Sequence, residues 1–255
     1  MLDRSHEDNV AGQFGPQAAA YVASAVHASG ADLDRIGTLV RALPGASVLD
    51  LGCGGGHVAF AAAQAGARVT AYDLSPQMLS AVSAEAARRG LTGIETRQGS
   101  VETLPFPDGS FDAVLTRYSA HHWRDVPAAL REVRRVVRKG GLCVICDIVS
   151  PEEPLLDTHL QALELLRDPS HVRDYRLSEW RRMLVEAGLQ PGAEITSRPR
   201  MEFASWIARI RTPEAHVAAI RALQEGAPVE VQTYFAVEAD GSFLLDSALI
   251  ETRAA

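Results

Sequence analysis

Val48-Leu49-Asp50-Leu51-Gly52-Cys53-Gly54-Gly55-Gly56-His57 sets a short apolar run against a glycine-rich turn, and the alanine-rich Val58-Ala59-Phe60-Ala61-Ala62-Ala63 follows at once. Val48 to Leu51 reads as a buried parallel strand whose C-terminal end opens into a ligand crevice. Gly52, Gly54, Gly55 and Gly56 let backbone approach a ligand closely. The helical run after them points its first N–H groups back at whatever occupies the turn. Strand, turn and helix in this order indicate an α/β fold built on a parallel sheet.

Glycine turns of this kind serve several ligands, so spacing has to decide. A dinucleotide fingerprint needs G-x-G-x-x-G. Counted from Gly52, the third glycine falls on His57, which crowds the usual pyrophosphate seat. Asp73 ends the run Arg68-Val69-Thr70-Ala71-Tyr72 about 20 residues past the turn, where a carboxylate can hold two ribose hydroxyls. Taken alone, Asp73 suits NAD and S-adenosylmethionine equally. The fuller set is Asp50-Leu51-Gly52-Cys53-Gly54-Gly55-Gly56, then Asp73-Leu74-Ser75-Pro76-Gln77-Met78, then Leu104-Pro105-Phe106 ahead of Phe111-Asp112-Ala113-Val114. Together these resemble the class I S-adenosylmethionine-dependent methyltransferases, in their ubiquinone-biosynthesis-like (UbiE-like) group. Arg117-Tyr118-Ser119-Ala120-His121-His122-Trp123, Asp168-Pro169-Ser170-His171-Val172-Arg173 and Arg209-Ile210-Arg211-Thr212-Pro213-Glu214-Ala215 are similar to one set of small bacterial members, the YafE type.

The resemblance implies a Rossmann-like α/β fold. Its marks are a seven-stranded sheet with helices on both faces, an N-terminal helical cap, and helical insertions in the C-terminal half. It implies S-adenosyl-L-methionine as cofactor, held by Tyr21, Asp50, Gly52, Cys53, Gly54, His57, Asp73, Leu74, Met78, Ser100, Val101, Glu102 and Arg117. Many relatives carry Asp after the glycine of Gln98-Gly99; Ser100 can also accept from the adenine amino group, without a charge. The contact through the N–H of Val101 needs no particular side chain. Phe14 and Tyr21 match the aromatic pair that precedes the first strand in the group, with cofactor contact and ordinary packing both open. From residue 197 onward the chain departs from the quinone-methylating enzymes.

A chain of 255 residues that is 47% hydrophobic can bury a sizeable core as one domain. Residues 1–44 would cap it, 45–150 would form the cofactor half, and 151–255 the acceptor half with a helical lid. A net charge of -7 argues against a broad phosphate-binding face, so no nucleic-acid partner is expected. Apolar runs stay shorter than about 18 residues, which predicts no membrane span. Met1 to Asp8 lack the order of a signal peptide, so the cytoplasm is the expected compartment. Cys143 and Cys146 have redox-motif spacing but fall inside the apolar run Leu142 to Cys146, where strand alternation sends them to opposite faces as buried structural thiols. Monomer and homodimer both stay open.

Before the first strand, Ala18 to Val26 and Asp32 to Leu43 read as helices. Ser75 and Pro76 open a helix to about Arg89, with Met78 and Leu79 toward the adenine. Ile94 to Arg97 and Phe111 to Thr116 are the third and fourth strands. Asp125-Val126-Pro127 starts a helix that turns Arg131, Arg134, Arg135 and Arg138 to solvent. Lys139-Gly140-Gly141 closes it, and Leu142 to Val149 makes the fifth strand. Leu155 to Arg167 interrupts the strand-helix rhythm and suits a lid. Ser178 to Gly188 reads as a capped helix, residues 192–202 as a strand, Ala204 to Arg211 and Pro213 to Gln224 as helices, and Ser242 to Thr252 as the last strand.

Methyl transfer from a sulfonium is an in-line displacement, so a protein contributes chiefly alignment and exclusion of water. A carbon or phenolic oxygen acceptor also needs a proton removed or an oxyanion stabilised. His121 and His122 suit that task near neutral pH, and Tyr118 can orient the acceptor. Arg117 can hold a carboxylate of cofactor or acceptor. The two histidines can equally cap the next helix. A His pair also suggests a metal, but no third ligand sits at a helpful spacing, so none is expected. The expected activity is C- or O-methylation of a small-molecule acceptor: aromatic, quinone-like or another secondary metabolite. The rival class is an S-adenosylmethionine-binding partner or regulatory protein without its own acceptor, and an oxidoreductase is a third.

Overall fold

The computed structural model describes residues 5–22 and 29–255. Strands β1 (Ser47–Leu51), β2 (Arg68–Asp73), β3 (Ile94–Gln98), β4 (Phe111–Arg117) and β5 (Val137–Ile148) run parallel. β6 (Leu189–Ser197) forms one edge of the same sheet, while β7 (Arg200–Met201) and β8 (Phe243–Leu244) make a separate pair. β9 (Ser247–Ala254) lies antiparallel between β5 and β6, so the sheet has seven strands in the order β3-β2-β1-β4-β5-β9-β6. The helices are α1 (His6–Phe14), α2 (Ala18–Val22), α3 (Ala31–Arg41), α4 (His57–Gln64), α5 (Pro76–Arg88), α6 (Val126–Val136), α7 (Pro154–Arg167), α8 (Leu177–Glu186), α9 (Phe203–Ala208), α10 (Glu214–Glu225) and α11 (Val229–Tyr234). No described helix is long and apolar enough to cross a membrane. The second half of the predicted helix Ala18 to Val26 lies outside the described residues.

Alternation along the strands builds two cores. Val48, Ala113, Leu115, Val144 and Cys146 pack with Ile36, Phe60 and Val82 of α3, α4 and α5. Leu49, Val114, Cys143 and Ile145 pack on the other face with Leu130 of α6 and Trp180 of α8. The two cysteines thus sit in opposite cores, buried and unbridged, as the strand period requires. A third cluster holds the insertion together: Leu160 and Leu163 of α7 meet Trp206, Ile220, Val231 and Phe243. Each such side chain contributes roughly 1.5–3 kcal/mol by leaving water.

Four boundaries differ from the sequence reading. Lys139-Gly140-Gly141 does not close α6; the helix stops at Val136, and these residues form a bulge inside β5, where the pairing jumps from Phe111–Val137 to Ala113–Leu142. Ser178 is not the cap of α8. The cap position is Arg176, whose N–H is taken by Glu179 Oε2 at 2.9 Å, while Ser178 Oγ donates to Glu152 at 2.7 Å. β6 begins at Leu189, three residues before the predicted strand, because Pro191 is tolerated on an open edge. The predicted last strand Ser242 to Thr252 splits into β8 and β9, and α11 is an extra helix.

Candidate functional site

The strand order reverses between β1 and β4, and the C-terminal ends of β1 to β5 meet there. A cavity of about 670 Å³ opens at that point, inside the roughly 300–1,000 Å³ range of small-molecule sites. At its floor the N–H groups of Gly52 and Cys53 donate to Tyr72 O, which locks the turn to β2. Gly54 N–H donates to Asp73 Oδ2 and Ser75 N–H to Asp73 Oδ1, each at 2.9 Å, so the carboxylate faces the glycine loop. Gly54 has φ 48°, and a Cβ there would meet nothing within 4 Å; the space it would enter is open. Gly52 is glycine for a different reason, since a Cβ would stand 1.9 Å from Ser119 Oγ.

Asp50 is buried and accepts from Ala59 N–H at 2.9 Å, which ties β1 to the first turn of α4. Burial, with a smaller push from Asp73, raises its carboxyl to about 7. Burial also raises Asp73, against the pull of the Ser75 and Gly54 N–H groups. His57 opens α4 with its Nε2 2.9 Å from Tyr21 O, and burial holds its pKa below the ordinary histidine value. Tyr21 stands edge-on to Phe14. Leu74, Met78, Ser100, Val101 and Glu102 complete this wall, with Ser100 Oγ donating to Glu102 Oε2 at 3.1 Å. Leu79, expected beside the adenine, instead packs in the core under α5.

The opposite end is built from the turn after β4. Arg117, expected to hold a carboxylate of cofactor or acceptor, is paired with the chain's own Asp32 at 2.5 Å, and burial is outweighed by this pairing in both groups. Tyr118 sits at φ 52° with its hydroxyl 3.4 Å from Ser247 Oγ. The next residues form a single 3-10 turn, Ala120–His122. His121 Nδ1 lies 2.6 Å from Asp147 Oδ1. Burial alone would lower this imidazole, but the Asp147 charge and hydrogen bond prevail and raise it to about 9. His122 Nδ1 meets Ser170 O at 3.1 Å; burial, with the neighbouring His121 charge, lowers it to about 4.

Apart from Leu79 and Gly56, the residues nominated from the sequence line one cavity. The sequence reading missed Glu164, Arg167, Asp168, Asp174 and Arg209, which line it as well, and the buried Asp147, which holds His121 from behind. Asp147 had a signal, since it lies one residue before the crevice-side end of a parallel strand; the others come from the insertion and had none. One ligand atom each of His121, Asp147 and Asp174 lie within 4.8 Å of one another, so the histidine does have acidic neighbours that spacing hid. Asp147 is poorly placed as a metal ligand, because Ala120 N–H, His121 N–H, Ile148 N–H and His121 Nδ1 already occupy its oxygens.

Residues 49–145 match the methyltransferase domain family. The chain is 50% identical to the uncharacterized protein YafE of Escherichia coli K12 over 200 residues, 78% of this chain and 97% of that one. The chain belongs to the class I S-adenosylmethionine-dependent methyltransferases, of the YafE type. This methyltransferase is also 37% identical to the uncharacterized methyltransferase YcgJ of Bacillus subtilis over 200 residues, 78% of this chain and 79% of that one. The YcgJ crystal structure superposes with a TM-score of 0.82, covering 87% of this chain and 98% of that one at 33% identity. Over 120 residues, 45% of this chain and 51% of the other, it is 38% identical to 2-phytyl-1,4-naphtoquinone methyltransferase of Synechococcus elongatus. The cavity suits the family's cofactor, S-adenosyl-L-methionine: Gly54 leaves open space where a side chain would stand, and Asp73 offers acceptor oxygens beside it.

Proposed function

We propose that this methyltransferase methylates a carbon or oxygen atom of a small-molecule acceptor, with Asp73 and the Gly54 loop holding the ribose and His121 handling the acceptor proton. When bound, S-adenosylmethionine supplies an electrophilic methyl group, so no covalent nucleophile is needed. The observation that carries the reading is that His121, held from behind by the buried Asp147, lines the same cavity as Asp73 and Gly54. Asp147 can only accept, so it keeps the proton on Nδ1 and leaves Nε2 as the ring nitrogen available to a ligand. Raised to about 9, this imidazole is protonated at neutral pH, where its Nε2–H can donate to an oxyanion on the acceptor; as pH approaches 9 the neutral form grows, and proton transfer from a phenolic hydroxyl at about 10 is then close to thermoneutral. Tyr118 and His122 line the same end and would orient the acceptor, with His122 kept neutral by its burial. A small-molecule acceptor is supported by the relative 2-phytyl-1,4-naphtoquinone methyltransferase, whose name gives a phytyl-substituted naphthoquinone.

The test is incubation of the protein with donor labelled at the methyl group and a small-molecule extract of cells. A labelled metabolite with wild type, and at least about 100-fold less with His121→Ala, is the expected outcome. Cofactor binding without any labelled product would point to the partner or regulatory class instead.

A further inference from the structure

Arg35, Arg117, Arg124, Arg167, Arg198 and Arg200 all line the cavity, and each has a carboxylate oxygen between 2.5 and 3.5 Å away. Arg209 lines it too, and among the described residues it has no carboxylate within 4.0 Å. It stands at the C-terminal end of α9, half-buried, on the insertion that walls the acceptor end. Glu164 is engaged with Arg167 at 3.5 Å, and its charge offsets that of Arg209 only in part. Burial and the charge of Arg167 outweigh Glu164 and hold Arg209 below the ordinary arginine range, as for a guanidinium whose charge is incompletely compensated. An acid lies beside His121, where the buried Asp174 Oδ2 has no hydrogen-bond partner. Burial raises the Asp174 carboxyl well above the ordinary range and so disfavours its charge, which leaves Arg209 to draw an anion that enters this end.

We propose that Arg209 binds an anionic group of the methyl acceptor, a carboxylate or a phosphate, and so turns the acceptor's reacting end toward His121. This rests on the methyltransferase reading and names the substrate class for it. A planar guanidinium presents a fork of donors that matches either oxyanion, and a partly desolvated pair is stronger than one in open water.

The experiment splits a small-molecule extract on an anion exchanger at pH 8 and incubates each fraction with wild-type protein and methyl-labelled donor. Label is expected in the retained fraction. Alkaline phosphatase treatment of that fraction removes the acceptor if its anion is a phosphate and spares it if it is a carboxylate. At limiting acceptor, Arg209→Gln is expected to lower incorporation roughly 30-fold and Arg209→Lys by less. Both variants should keep the rise in melting temperature that S-adenosylhomocysteine gives wild type, which shows that they fold. Label confined to the unretained fraction overturns the inference, as does full incorporation by Arg209→Gln. Absence of label from every fraction contradicts methyl transfer itself and takes the inference with it.

Discussion

Asp147 spends both carboxylate oxygens on the turn after β4, and this fixes His121 more firmly than the loop sequence alone would. His121 has a folded pKa of about 9, above its unfolded value of about 6.5. Its ion pair therefore stabilises the fold fully below about pH 6.5, and that contribution is lost as pH rises through about 9. Melting temperatures from pH 6 to 10 should fall along this limb in wild type and much less in Asp147→Asn. A gap between the two proteins that fails to shrink with rising pH would refute the pairing. At neutral pH, Asp147→Asn is expected to cost roughly 3 kcal/mol, measured by denaturant unfolding. Gly52→Ala should cost on the order of 3 kcal/mol as well, since a Cβ would meet Ser119 Oγ at 1.9 Å and φ is 69°. His121 and Tyr118 were legible in the sequence because they directly follow a strand. Arg209 was not, because only the folded insertion brings it to the cavity.

At the scale of elements, local chemistry was readable wherever one side chain sets a boundary. Ser75 Oγ accepts from Met78 N–H at 3.2 Å and Pro76 takes the first helical position, so α5 begins where the sequence indicated. Ser75→Ala should destabilise the protein by about 1 kcal/mol in chemical denaturation, and an unchanged midpoint would show the cap to be idle. Long-range partners were what the sequence concealed. Ser178 looks like a cap, yet Glu152 lies 26 residues away and claims its hydroxyl. Gly140 and Gly141 look like a helix end, yet pairing with β4 continues past them as a bulge.

Across the whole molecule, the N-terminal helix and the insertion meet over the cavity. His6 Nε2 lies 2.8 Å from His122 O, and Gln13 Nε2 donates to Ile210 O at 3.1 Å. His6, Glu7, Val10 and Phe14 of α1 line the cavity. Residues 6–14 and 203–208 should thus exchange amide hydrogens more slowly once S-adenosylhomocysteine is added; unchanged exchange in both segments would mean that neither closes over the ligand. The cofactor half was legible from its strand-turn-helix order, whereas the insertion follows no such rhythm and its own core forms only from distant residues. The whole scheme depends on the cofactor lying between the glycine loop and the acid that ends β2. Titration calorimetry with S-adenosylhomocysteine should show saturable one-to-one binding to wild type, a loss of at least about tenfold in Asp73→Ala, and no heat from NAD. Absence of binding to wild type at millimolar ligand, or an Asp73→Ala protein that binds as tightly, would contradict it.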